Sequence, residues 1–152
     1  MTVLDIFRFL SAFAAGIAAG TLVAVFAGVI PVLRRLPPPE ALRVKRLLDP
    51  FIDRYQPATV VLAAISAVVI LLHDLTSSET VFTVVGLAGS IAVGVTSVSV
   101  NMPINRAMGV WPPDAVPPEF EPLLARWIRF HGVRTLAAVV ALAGFVLAIV
   151  NP

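Results

Sequence analysis

Residues 9–33 read FLSAFAAGIAAGTLVAVFAGVIPVL, twenty-five positions without one charged side chain. A helix needs about 20 mostly apolar residues to cross a bilayer, so this stretch puts the chain in lipid. It is too long for the apolar core of a secretory leader, about 7–15 residues. Asp5 also stands beside Arg8 in the segment before it, so we expect the segment to stay in the mature protein. The rest of the composition agrees: 59% of the 152 residues are apolar and 13% charged, where soluble domains carry about 45–50% and 25%. A large water-soluble catalytic domain is excluded, because little chain is left once the membrane segments are assigned.

Three further runs have the length of a span. They cover about residues 57–75, 80–100 and 130–150, the last with His131 and Arg134 near its start. The expected fold is all-α, a single-domain four-helix integral membrane bundle. Between the first and second spans, Glu40 to Leu48 follows three prolines. Leu42, Val44, Leu47 and Leu48 share one broad helical face there, with Arg43, Lys45 and Arg46 mainly outside it, which predicts an interfacial helix. Between the third and fourth spans, Trp111, Pro112, Pro113, Pro117, Pro118 and Pro122 predict an extended connection.

Charge sets the expected orientation. Arg34, Arg35, Arg43, Lys45, Arg46 and Arg54 crowd the first connection and Arg106, Arg126 and Arg129 the last, whereas Arg8 stands alone on the other side. Positive residues stay on the cytoplasmic face. Both long connections are therefore expected inside a plasma (inner) membrane, with the termini and the His73–Glu79 turn outward. A formal net charge of +2 spread in this way signals topology and implies no nucleic-acid partner.

Lipid tails are as apolar as leucine, so membrane helices associate by close packing at small residues. Candidate seams are Ala12, Gly16, Gly20, Ala24 and Gly28 in the first span, Gly86, Ser90 and Gly94 in the third, and Ala137, Ala141, Gly144 and Ala148 in the fourth. They fit a tight bundle or a homo-oligomeric seam equally well.

The residues able to carry chemistry gather where the third span ends and the fourth begins. Asn101 and Asn105 are four apart, as are Trp127 and His131, with Arg134 three further on, so each set shares a helix face. Pro103 removes a backbone donor between the asparagines and is expected to kink or end the helix, freeing carbonyls for Asn105, Arg106 or a ligand. An ionisable residue within a span is costly and usually functional. Two readings stay open at this point. In one, the cluster is a pocket for a planar ligand stacked on Trp127 and Phe130. In the other, it only locks the bundle, while the basic loops bind anionic lipid or a partner subunit. A transporter fits less well, for want of a distributed polar pathway or an inverted repeat.

No metal or haem site is expected. Cysteine is absent, and the two histidines, His73 and His131, fall at opposite ends of the membrane. His73, Asp74 and Glu79 form a solvated turn more readily than a cation site, Trp111 suits an interfacial anchor, and Arg8 a headgroup contact.

The two polar elements together resemble those of the anthrone oxygenase-like family of small four-span membrane proteins. Asn101-Met102-Pro103-Ile104-Asn105 is similar to its Asn-x-Pro-x-Asn element. Trp127, His131 and Arg134 are similar to its Trp-x-x-x-(Asn or His)-x-x-Arg-Thr element, and Pro31 closing the first span also fits. The resemblance implies oxidation of an apolar aromatic or quinone-like substrate, an anthrone, by dioxygen without a prosthetic group. It implies His131 as the base that takes the methylene proton, and Arg134, Asn101 and Asn105 as donors to the developing oxyanion. Trp127, Phe130 and Arg106 would bind the substrate.

Overall fold

The computed structural model describes residues 2–73 and 78–151. Four long helices account for almost all of them: α1 (Val3–Leu33), α2 (Pro38–His73), α3 (Ser78–Gly109) and α4 (Phe120–Val150), each long and apolar enough to cross a membrane. Among the described residues there is no strand. Each helix packs on its chain neighbours, most extensively α3 on α4, and α4 closes the ring against α1. Large apolar side chains such as Phe9, Phe13, Ile65, Leu72, Ile91 and Leu136 are exposed around the outside. A water-facing surface of that kind would aggregate, whereas a lipid-facing one is at rest. The protein is a multi-pass membrane bundle.

All four helices are longer than the expected spans, for local reasons. α1 starts at Val3 because Thr2 and Asp5 form a capping box: the Thr2 hydroxyl accepts from the Asp5 N–H and the Asp5 carboxylate from the Thr2 N–H at 2.7 Å. α2 continues through Pro50 and Pro57, so the segment expected as a separate interfacial helix is the first part of the same 36-residue helix. Its buried face also differs from the expected one. Ala41, Leu42 and Lys45 point inward, while Leu47 is exposed.

Pro103 does not end α3. A π turn at Ser97–Asn101 precedes it, and helix resumes at Met102. α1 is built alike, with a π turn at Val25–Val29 just before Pro31. Each wide turn absorbs the hydrogen bond its proline cannot make. Pro122 sits in the first turn of α4, where a missing N–H costs nothing, so the connection expected to be extended up to that proline gives way to helix at Phe120.

The core divides by depth. Near the middle it is made of Ala14, Ala15, Ala63, Ala67, Ala141 and Phe145. Toward the end that carries the arginine-rich connections, here the basic end, larger side chains fill it: Leu33, Leu42, Met108, Phe120 and Trp127. The small-residue seams of the third and fourth spans are real contacts at Gly86, Ser90, Ala141 and Gly144, whereas Gly94 has nothing within 4 Å and borders a cleft. A Cβ on Gly144 would lie 2.7 Å from the Gly86 nitrogen and 2.8 Å from the Phe82 carbonyl oxygen. The stripe expected on the first span packs only at its start, where Ala12 and Gly16 meet the core; Gly20, Ala24 and Gly28 are exposed, and α1 packs through Ser11, Ala14, Ala15, Ala18 and Ala19. Gly144→Ala should therefore force two backbones apart and cost about 1–3 kcal/mol. Gly28→Ala, with nothing within 4 Å, should leave stability unchanged or raise it. Unfolding in detergent micelles distinguishes them, and equal effects would refute the seam.

At the far end Arg8 is no headgroup contact. Its Nε donates to Glu79 Oε1 at 2.7 Å and its Nη1 to Asp5 Oδ1 at 3.1 Å. Glu79, expected in a solvated turn, is buried beneath it, and Asp74 of that turn lies outside the described residues. Glu79→Gln keeps the shape but removes the charge, and should cost about 1–3 kcal/mol. A melting temperature insensitive to the change would show the pair to be idle.

Candidate functional site

The polar cluster assembles just inside the basic end. The π turn of α3 carries Asn101 inward, where it is completely buried and its Nδ2 donates to the Trp127 carbonyl at 3.1 Å. Its Oδ1 and the Trp127 Nε1 are buried and have no hydrogen-bond partner among the described residues. One turn along α4 from Trp127, His131 stacks on the indole with centroids 5.0 Å apart. It too has no exposed surface.

Arg134 fixes the state of that histidine. Its Nη2 donates to His131 Nδ1 at 2.9 Å and its Nε approaches the same atom at 3.3 Å. A guanidinium offers only donors, so Nδ1 must accept. The proton therefore sits on Nε2, which donates to the Leu22 carbonyl of α1 at 3.0 Å. Both ring nitrogens are engaged. Arg134 itself is about 5% exposed. Its Nη1 reaches only Ser97 Oγ, at 3.4 Å, and among the described residues no carboxylate is in ion-pair contact with it.

Asn105 belongs to an adjoining layer that includes residues the sequence pattern did not single out. Lys45 of α2, expected on a polar surface, is 1% exposed. Its ammonium donates to Asp49 Oδ2 at 2.6 Å and to Asn105 Oδ1 at 2.7 Å, and stands 4.1 Å from the centre of the Trp127 indole. Asn105 Nδ2 in turn donates to Asp53 Oδ2 at 3.1 Å. Gln56 is also buried, with its Nε2 bonded to the Ala18 carbonyl. The signal for these four was present: Lys45, Asp49, Asp53 and Gln56 follow one another at four, four and three residues, a single helix face. The structure thus brings Asn101, Trp127, His131 and Arg134 together and links Asn105 to them through Lys45. Phe130 is half-buried against the apolar cluster nearby, and Arg106 is exposed.

Two clefts reach this layer. One, about 150 Å³, opens between α2 and α3 on the lipid-facing side, between Pro57, Val60, Val61, Gly94 and Val98, with Arg134, Ser97, Gln56 and Asp53 as its polar lining. The other, about 330 Å³, is polar and lies nearer the basic end, among Arg46, Asp49, Asp53, Asn105 and Arg106. His131 and Asn101 border neither. Among the described residues no group of three or more His, Asp or Glu could hold a metal ion.

A family model described as anthrone oxygenase matches residues 51–144, from within α2 to well inside α4. Comparisons with curated proteins and with solved structures give no match.

Proposed function

The chain belongs to the anthrone oxygenase family, and from that premise we propose that it is an integral-membrane oxidoreductase that converts an anthrone or a related apolar phenolic aromatic to its quinone with dioxygen. The observation that carries the proposal is the cleft between α2 and α3: an apolar slot open to lipid, with a buried arginine at its inner wall that is in ion-pair contact with no carboxylate among the described residues. An engineered apolar cavity of about 150 Å³ takes a benzene ring. The slot thus admits one ring edge of a flat polycycle whose remainder lies among the lipid-facing Val61 and Val98. Substrate and dioxygen both partition into hydrocarbon, and this entrance faces it.

Arg134 meets the carbonyl oxygen of the substrate. As the methylene proton leaves, negative charge collects on that oxygen, and a donor held in a water-poor site is worth most at that moment. His131 holds Arg134 through Nδ1 and is itself tethered to α1 through Nε2; its task is to orient the guanidinium rather than to accept the substrate proton. Asn101 pins α3 to α4 behind it, and Asn105 acts through its bonds to Lys45 and Asp53. Trp127, walled off by His131 and Lys45, supports the layer from behind, and Phe130 and Arg106 lie at its margin. The reaction converts a CH₂ group and O₂ to a carbonyl and water, a balanced four-electron exchange. The basic end faces the cytoplasm.

The test is direct. The protein in lipid nanodiscs, given anthrone, should consume one dioxygen per quinone formed, above the rate of empty nanodiscs. Mass spectrometry of the purified protein should find a co-purifying aromatic or quinone. Neither result would leave the cluster as a lock between helices, a role that the Asn101 and His131 bonds to neighbouring backbone serve in any case.

A further inference from the structure

Orienting Arg134 with His131 leaves the substrate proton without a destination, and the structure offers one on a different helix. Asp53 of α2 lines the lipid-facing cleft with Arg134, the polar cleft with Arg46, Asn105 and Arg106, and a narrow gap beside Lys45 and Trp127. Its Oδ2 is fixed by the Asn105 amide at 3.1 Å, and among the described residues nothing donates to its Oδ1. Asp53 and Arg134 line the same cleft, and among the described residues they are not in ion-pair contact with one another. Pro57, four residues on, has no N–H to give the Asp53 carbonyl.

We propose that Asp53 is the proton acceptor of the reaction and the gate through which that proton leaves for water. This rests on the function proposed above. An anthrone carries its carbonyl and its acidic methylene at opposite corners of the central ring. Inserted with the carbonyl on buried Arg134, it presents the methylene toward the cleft mouth, where Asp53 is exposed. The C–H bond breaks, its proton goes to the Asp53 carboxylate, and its electron pair spreads through the ring system onto the oxygen held by Arg134. Dioxygen takes up the electrons of this anion and forms a C–O bond at the former methylene carbon; breaking the second C–H bond and the O–O bond then gives the quinone carbonyl and a hydroxide, which the proton taken by Asp53 finally turns to water. The protonated carboxyl releases its proton into the polar cleft, which the same side chain borders, and the charged form is restored for the next turnover.

The test compares wild type, Asp53→Asn and Asp53→Glu in nanodiscs with anthrone and with anthrone deuterated at the methylene. Asn keeps an acceptor for the Asn105 amide, so the fold should persist, and the melting temperature checks that it does. The expected result is a fall in kcat of roughly 100-fold for Asp53→Asn with KM little changed. Asp53→Glu should recover a good part, and anthraquinone should bind wild type and Asp53→Asn alike. Wild type without activity would overturn the oxidoreductase reading and this proposal with it. An active wild type whose folded Asp53→Asn variant keeps its kcat within about threefold would overturn the role of Asp53 alone. Should Asp53→Asn not fold, Asp53→Ser puts the same question.

Discussion

Arg134→Lys should lose about 100- to 1000-fold in kcat on anthrone while remaining folded. The substitution keeps the positive charge, and on charge alone it ought to be mild. Arg134, however, spends Nε and Nη2 on His131 Nδ1, and only the Nη1 side, with its long contact to Ser97, is left for the cleft. A lysine has one nitrogen at the end of a flexible stem and cannot hold the histidine and present a donor to the substrate at once. Since the oxygen gains its charge as the proton leaves, the loss should fall on kcat more than on KM. His131→Leu, which removes the orienting acceptor without touching the cleft, should lower kcat by a smaller factor and raise the activity of no variant that already lacks Arg134. Activity of Arg134→Lys within about threefold of wild type would show that the guanidinium does not meet the reacting oxygen.

The bundle was legible because its cause is composition: a charge-free run like Phe9–Leu33 has no other stable solution. Asn101, Trp127, His131 and Arg134 stood out for a related reason, since a polar side chain at membrane depth is expensive and therefore conspicuous. The α2 residues were hidden by two effects. The interfacial helix was expected to end before the second span, but the helix runs on through Pro50 and Pro57, so Lys45, Asp49, Asp53 and Gln56 fall on one continuous helix face. Lys45 also lies between two arginines, Arg43 and Arg46, that are exposed, and only the tertiary contact with Trp127 and Asn105 sets it apart. The π turns were equally invisible. Their marker is a proline, which predicts a break as readily as a widened turn, and the choice is made by the neighbouring helix that receives Asn101. Arg8 and Glu79 were read as solvent-facing because their pairing spans 71 residues of sequence.

Lys45→Met should be among the most destabilising single changes in the chain, about 3–5 kcal/mol, because it breaks a buried ion pair from one side. Methionine matches the stem of lysine in length and apolarity, so little packing is lost. What is lost is an ammonium whose surroundings are all accounted for: Asp49, Asn105 and the face of Trp127. Without it the half-buried Asp49 carboxylate has no counter-charge and Asn105 Oδ1 no donor. Asp49→Asn should then rescue the Met variant by more than half, since the double variant carries no stranded charge; a double-mutant cycle of unfolding free energies in micelles measures that coupling. If the two substitutions were merely additive, the pair would contribute nothing beyond its separate parts. Activity should respond differently from stability. Asn105 holds Asp53 with the amide nitrogen opposite the oxygen that Lys45 engages, so the rescued double variant regains its fold but leaves Asn105 free to turn. A kcat that stays low after stability returns would mean that Lys45 places the proton acceptor as well as neutralising Asp49, and a kcat that recovers in step with stability would confine Lys45 to the fold.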